Sequence, residues 1–236
     1  MAVHAERRGA VALLTIDRPE RRNALDLETV RALTNAVKDA ADARVLVVTG
    51  AEGHFCAGAD LGGVEGDQFV GALRVLLLSL THAAQPVIAA VDGAALGAGT
   101  QLAVACDLRV ATPDAKFGIP AAKLGLMVDQ WSVRRLQAMA GDGPTRAMLL
   151  AAEVVSGEDG HRLGFVQRLG DLDVALAWAA EIATLAPLSI AGHKLALNDG
   201  PREEFDAAFA RAWSSEDLGE GMAAFRERRA PEFRGR

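Results

Sequence analysis

Residues 95–107, ALGAGTQLAVACD, place a turn of small residues directly before an apolar run. The pattern predicts that a helix begins at Gly97-Ala98-Gly99, where the first backbone N–H groups have no intrahelical acceptor and attract negative charge. A ligand oxygen could approach such a turn closely, although small residues also serve simple helix-sheet packing. Leu102 stands where a dinucleotide-binding fingerprint needs its third glycine, which argues against that fold.

The segments around this turn alternate between strand and helix patterns. Short apolar runs predict strands at 10–16, 45–49, 87–91 and 108–111, and a further short one at 165–169. Helical patterns follow at 27–37, where Asp26 is the expected cap, and at 67–84, 133–139, 145–151, 174–185, 190–197, 205–213 and from Ser215 to about 229. The alternation predicts an α/β protein with a parallel sheet and a helical C-terminal part.

Composition excludes several classes of protein. The 236 residues are 50% hydrophobic and carry a net charge of -6, which argues against a general nucleic-acid surface. We find neither an 18-residue apolar span nor a signal peptide, so we expect no membrane span and a cytoplasmic location. Cys56 and Cys106 are far apart and are expected to be reduced thiols, and the dispersed histidines predict no metal site.

Five stretches carry a family resemblance. They are RPERRNAL (18–25), FCAGADL (55–61), ALGAGTQLAVACDLRVATPDAKFGIP (95–120), LGL (124–126) and EGMAAFRERRAPEF (220–233). With these stretches in this order, the chain resembles the enoyl-CoA hydratase/isomerase family, the crotonases. The resemblance implies a repeated ββα core, assigned to 1–180, and a C-terminal helical trimerisation region, 181–236. It also implies a homotrimer or hexamer that binds fatty acyl-CoA, with no separate cofactor.

The resemblance also assigns roles to particular residues. The backbone N–H groups of Ala59 and Ala98 would hold the thioester oxygen in an oxyanion hole. The residues expected to border or contact coenzyme A are Ala57, Asp60, Leu61, Arg22, Phe225 and Arg228, the last two in some relatives from an adjacent subunit. For Arg22 and its neighbour Arg21, an ordinary solvated surface charge explains the sequence equally well.

Two positions depart from the family pattern. Hydratases of this family use two glutamates to activate water and to protonate the α-carbon, and the matching positions here are Gln101 and Ala121. An amide can orient water but cannot exchange a proton at neutral pH, and a methyl group can do neither. We therefore expect little or no hydration by the usual mechanism.

Asp129 is the one candidate base that remains near these positions. It resembles an aspartate that dienoyl-CoA isomerases use for proton transfer. Its sequence context is equally that of a cap for a helix beginning at Gln130.

The sequence therefore leaves functions of two classes open. The first is a protein of lipid metabolism that binds fatty acyl-CoA or enoyl-CoA without efficient turnover. The second is an enzyme, either an enoyl-CoA or dienoyl-CoA double-bond isomerase that uses Asp129 or a slow enoyl-CoA hydratase.

Overall fold

A six-stranded sheet forms the centre of the protein. The computed structural model describes residues 2–60, 62 and 66–236. The strand order in this sheet is β1-β2-β3-β4-β6-β9, and a smaller sheet has the order β5-β7-β8. The strands are β1 (Val3–Arg8), β2 (Val11–Ile16), β3 (Val45–Gly50), β4 (Val87–Val91), β5 (Ala94–Leu96), β6 (Leu108–Ala111), β7 (Lys116–Gly118), β8 (Val155–Ser156) and β9 (Arg168–Leu169).

Helices cover both faces of the main sheet. They are α1 (Leu27–Asp39), α2 (Gly66–Thr81), α3 (Ala98–Ala105), α4 (Gln130–Ala140), α5 (Asp142–Leu150), α6 (Gly157–Arg162), α7 (Leu172–Ile182), α8 (Pro187–Leu197), α9 (Arg202–Trp213) and α10 (Glu216–Glu227). Asp26 caps α1, Asp129 caps α4 and Ser215 caps α10 through side-chain oxygens, as their positions in the sequence predict.

Alternation along the strands separates two apolar cores. Leu46 and Val48 of β3 face α1, α2 and α3, whereas Val45 and Val47 face Ala175 and Ala179 of α7. Both sets are fully buried, which explains why the strand reads as an unbroken apolar run. The α/β class predicted from the sequence is confirmed.

The expectation of a wholly parallel sheet is wrong at one edge. β1 pairs antiparallel with β2, and the two strands are joined by the two-residue turn Gly9-Ala10, which can connect only antiparallel neighbours. β1 is not recognisable from its sequence because five of its six residues are exposed and it carries charged side chains. The sequence pattern also missed β5, β7 and β8, which have two or three residues each.

No single helix among the described residues is long and apolar enough to cross a membrane. Only α7 and α8 taken together reach that length, and they meet at an angle of 113°. α7 is the helix that covers one face of the main sheet.

A buried ion pair joins the C-terminal helices to the sheet. Lys194 of α8 lies 2.6 Å from Asp107, which directly precedes β6, and its Nζ also donates to the carbonyls of Leu80 and Gln85. Burial raises the pKa of Asp107 and lowers the pKa of Lys194, while the attraction between the two charges opposes both shifts. Because Asp107 also accepts from Val87 N, the pair ties α8 to the beginning of β4.

We expect Lys194→Met to lower the free energy of unfolding by about 3–5 kcal/mol, because it leaves the Asp107 carboxylate buried without its cation. Denaturant unfolding measures the change. The matched control is Arg202→Met on α9, which breaks an exposed ion pair with Asp206 and should cost at most about 1 kcal/mol. Equal effects of the two substitutions would contradict the role assigned to the buried pair.

Candidate functional site

The turn at residues 97–99 lies at the carboxyl edge of the main sheet. Gly97 adopts φ 55° and donates its N–H to Gly118 O at 2.8 Å, which joins the turn to the end of β7. The left-handed conformation suits glycine. Ala98 is buried. Because it is the first residue of α3, its N–H has no acceptor within the helix.

A second loop, 55–60, follows β3 at the same edge. Leu25 N donates to Gly58 O and Asp60 N donates to Leu25 O, both at 2.8 Å, in a parallel bridge between Leu25 and Ala59. In this bridge the two residues that flank Ala59 make the hydrogen bonds. The N–H of Ala59 itself therefore points away from Leu25.

Asn23 holds this second loop in place. Its side chain is fully buried, and Nδ2 donates to the carbonyls of Ala51 and His54 while Oδ1 accepts from Arg18 N. Asn23 falls within the stretch RPERRNAL (18–25), but no pattern in the sequence indicates its role. One buried amide thus fixes the path of the chain from β3 into the loop.

The two loops touch because glycines stand at the contacts. A Cβ on Gly99 would lie 2.1 Å from Cys56 O, and a Cβ on Gly58 would lie 3.1 Å from Leu96 O. Cys56 N also donates to Ala94 O. The structure therefore brings together the loops that contain Ala59 and Ala98, the two residues predicted to form the oxyanion hole.

Gln101 lies one turn into α3 and belongs to a hydrogen-bonded chain of side chains. Its Nε2 donates to Ser132 Oγ at 2.7 Å, and Ser132 Oγ lies 3.0 Å from Asp129 Oδ2. A carboxylate only accepts, so Ser132 donates its single hydroxyl proton to Asp129 and accepts from Gln101. The amide is thereby oriented, with only 6% of Gln101 exposed.

Asp129 makes the capping contact expected for it and lies beside Gln101's hydrogen-bond partner, while its role as a base stays a prediction. Oδ1 accepts from Ser132 N at 3.1 Å, the capping contact, and lies 3.6 Å from Arg74 Nη1 of α2. The side chain is about one-third exposed. Sequence reasoning missed Ser132 and Arg74. The spacing of three residues between Asp129 and Ser132 signals a cap, but no local pattern links either residue to Gln101.

Ala121 supplies only a methyl group. It lies in a 3-10 helix, Pro120–Leu124, where it is half-buried and packs against the larger core. Its carbonyl accepts from Leu126 N. Neither Gln101 nor Ala121 therefore carries an ionisable side chain, and their match to the family glutamates stays a prediction.

The residues predicted to contact coenzyme A lie in two regions. Ala57 N donates to Arg22 O, and Asp60 forms an ion pair with Arg18 at 3.1 Å, so these residues lie along the second loop. Arg22 is exposed, and Leu61 lies outside the described residues. Phe225 and Arg228 are exposed on and just after α10. All of these roles stay predictions.

Other reactive groups do not add to the site. Burial raises the pKa of both Cys56 and Cys106 to about 12, which leaves the two thiols protonated at neutral pH. The described residues contain no group of three histidine, cysteine or acidic side chains placed to hold a metal ion.

Comparison with known proteins gives one family throughout. The family model described as "Enoyl-CoA hydratase/isomerase" matches residues 6–236. A Mycobacterium tuberculosis protein named "Probable enoyl-CoA hydratase echA6" is 48% identical, with 96% of this chain and 97% of that protein covered. The "Crotonyl-CoA hydratase" of Syntrophomonas wolfei is 33% identical over 97% of this chain and 96% of its own length.

Solved structures show the same fold. The enoyl-CoA hydratase EchA1 from Mycobacterium marinum superposes with a TM-score of 0.85 at 34% identity and covers 100% of both chains. An enoyl-CoA hydratase from Polaromonas sp. JS666 has a TM-score of 0.90 at 31% identity, over 99% of this chain and 100% of its own.

We expect Gly99→Ala to disturb the site directly, because its Cβ would collide with the Cys56 carbonyl and push the two loops apart. The free energy of unfolding should fall by about 1–3 kcal/mol, the range for strain from overpacking. Gly71→Ala is the matched control, since nothing lies within 4 Å of its Cβ on α2. That change should leave stability unchanged or raise it by up to about 1 kcal/mol. Thermal unfolding of both variants measures the difference, and equal stability would contradict the close contact.

Proposed function

The chain belongs to the enoyl-CoA hydratase/isomerase family, and from that premise we propose that it binds fatty acyl-CoA or enoyl-CoA with little or no hydration. One observation carries the proposal. The two loops meet through backbone atoms at Gly99 and Cys56, whereas positions 101 and 121 carry an oriented amide and a methyl group. The protein would serve lipid metabolism as a binder of coenzyme A thioesters.

The binding part rests on backbone groups. The N–H groups of Ala59 and Ala98 would donate to the thioester oxygen, and these donors do not depend on the side chains at 101 and 121. Their geometry follows from the contact of Gly99 with Cys56 and from the Leu25–Ala59 bridge. A thioester can therefore be held and polarised whether or not water is activated beside it.

The absence of efficient turnover follows from Gln101. General acid-base catalysis typically contributes ~10²–10⁴-fold, and a buried amide cannot supply it. The single Ser132 hydroxyl proton is already donated to Asp129, so the Gln101 amide is held as a hydrogen-bonding group. An ordinary hydratase would need ionisable groups at both positions.

An isomerase that uses Asp129 is the second candidate. Asp129 reaches the Gln101 amide through a single residue, Ser132, and is partly exposed. Both of its oxygens are engaged by the capping serine, which favours the structural role. The isomerase also lacks a partner carboxylate at Ala121.

We further propose that the protein assembles as a homotrimer or hexamer in the cytoplasm. Large apolar side chains on α9 and α10 stay exposed in the single chain, among them Phe209, Trp213, Met222 and Phe225. Contiguous exposed apolar surface is typical of protein interfaces.

The proposal predicts binding without hydration. Calorimetric titration with octanoyl-CoA should show binding in the micromolar range or tighter, while ultraviolet absorbance should show a turnover of crotonyl-CoA far below the ~10 s⁻¹ of an ordinary enzyme. The double variant Gln101→Glu with Ala121→Glu should acquire measurable hydration, because one carboxylate can then orient water while the other exchanges a proton.

Each single substitution is the control and should gain much less, since groups that act as a unit are strongly non-additive. Rapid hydration by the unmodified protein would overturn the assignment of Gln101 and Ala121. The absence of any binding would overturn the coenzyme A proposal itself.

The substitution Asp129→Asn distinguishes a role of Asp129 as helix cap from a role as catalytic base. Asparagine still caps a helix but cannot accept a proton, so a structural Asp129 predicts nearly unchanged stability, unchanged octanoyl-CoA affinity and no loss of activity. A catalytic Asp129 predicts that any isomerisation of unsaturated acyl-CoA falls by about 10²-fold or more. Spectroscopic assays of isomerisation over several acyl chain lengths decide between the two roles. A parent protein without isomerisation would exclude the isomerase.

A further inference from the structure

A cavity lies at the amino edge of the main sheet, at the opposite end of the strands from the two contacting loops. Its volume is about 320 Å³, within the range of small-molecule sites. Arg44, directly before β3, and Pro86, directly before β4, form part of its wall together with the beginning of α8. β3 has six residues and rises about 3.3 Å per residue, so the two sites lie about 20 Å apart.

Charge distinguishes this cavity from the rest of the protein. Its wall contains three arginines, Arg44, Arg211 and Arg234, and no aspartate or glutamate. The chain as a whole carries a net charge of -6. Among the described residues, none of these three arginines forms an ion pair with a carboxylate. Three arginines around one cavity in an acidic protein attract an anion.

Arg44 provides an independent observation. Its Nη2 donates to Phe233 O, which holds the C-terminal segment against the sheet. Its Nη1 is buried and has no hydrogen-bond partner within the described part of the chain. Leaving a buried charged donor unsatisfied is costly, and a small rotation of the guanidinium toward an acceptor in the cavity would remove that cost.

The fold holds the other two arginines beside this group. The Asp217 carboxylate accepts from the backbone N–H groups of Arg234 and Gly235, so this acid positions the C-terminal segment by its backbone. Arg211 lies on α9, whose packing against α8 brings it to the cavity wall. Three separate elements thus converge on one small space.

The rest of the wall is mainly apolar. Beside the arginines it is formed by alanine, proline, leucine and isoleucine side chains such as Ile182, Leu188 and Ile190, with Gln85 as the other polar side chain. A bare inorganic anion would leave these surfaces uncovered, whereas an alkyl chain would bury them. The planar fork of arginine suits both carboxylate and phosphate oxygens.

We propose that this cavity binds a small amphiphilic anion, with its carboxylate or phosphate head on Arg44 and its alkyl part against the apolar wall. The site is separate from the thioester site and needs no coenzyme A. Recognition comes from the oxyanion head, which a fatty acid and an alkyl phosphate share.

Calorimetric titrations with octanoate, octyl phosphate, inorganic phosphate and 1-octanol test the proposal on the full chain. We expect octanoate or octyl phosphate to bind at least about tenfold more tightly than octanol or inorganic phosphate. Octanol lacks the anionic head group, and inorganic phosphate lacks the alkyl chain. The comparison between octanoate and octyl phosphate identifies the preferred head group.

Arg44→Gln and Arg211→Gln should each weaken binding of the preferred ligand by at least about tenfold, since charge-assisted hydrogen bonds are the strong ones. Arg202→Gln is the matched control, because it removes the same charge from α9 outside the cavity wall and should change affinity less than twofold. Because Arg211 is exposed, Arg211→Gln does not threaten folding. For the partly buried Arg44, thermal unfolding checks that the Arg44→Gln variant is still folded. Octanoyl-CoA binding should be the same in all variants.

Equal binding of octanol and the two anions, unchanged affinity in both cavity variants, or no binding of any probe would each overturn the proposal. None of these outcomes bears on the coenzyme A proposal, which the octanoyl-CoA titration measures separately.

Discussion

The contact between Gly99 and the Cys56 carbonyl is the constraint on which the candidate site depends. A helix can begin against a neighbouring loop at this distance only if no Cβ stands between them, since even alanine would place a carbon 2.1 Å from the oxygen. The contact holds the loop that follows β3 against the helix start that follows β4 and β5. In an α/β sheet the carboxyl edge is where ligands bind, because loops that follow neighbouring parallel strands converge there.

Because the two loops meet through backbone atoms, their contact does not depend on which side chains stand at positions 101 and 121. The donors proposed to hold a thioester are peptide N–H groups, and their directions are set by the Leu25–Ala59 bridge and by the first turn of α3. Acid-base chemistry depends instead on the side chains at 101 and 121. The proposed binding of acyl-CoA without hydration is therefore physically consistent, and Ser132 provides the hydrogen-bond acceptor for the buried Gln101 amide.

The opposite edge of the sheet has different chemistry. There the buried Lys194–Asp107 pair and the Arg44–Phe233 hydrogen bond tie the C-terminal helices and tail to the strands. Lys194 is fully satisfied by a carboxylate and two carbonyls, whereas one nitrogen of Arg44 is not. Removing the partner of a satisfied buried cation destabilises the fold, and an unsatisfied cation beside a cavity favours an anion.

The sequence alone determined the α/β class, the long helices and which side chains occupy positions 101 and 121. These features depend on local periodicity, on caps such as Asp26 and Asp129, and on which side chain occupies a position. Only the tertiary structure decided the antiparallel edge strand β1, the short strands of the second sheet, the link from Gln101 through Ser132 to Asp129, and the arginine-lined cavity. Short and exposed strands carry too little apolar pattern to be recognised. The side-chain link spans 31 residues and the cavity joins residues from Ala41 to Gly235, so these contacts arise from packing between distant segments and leave no local signal in the sequence.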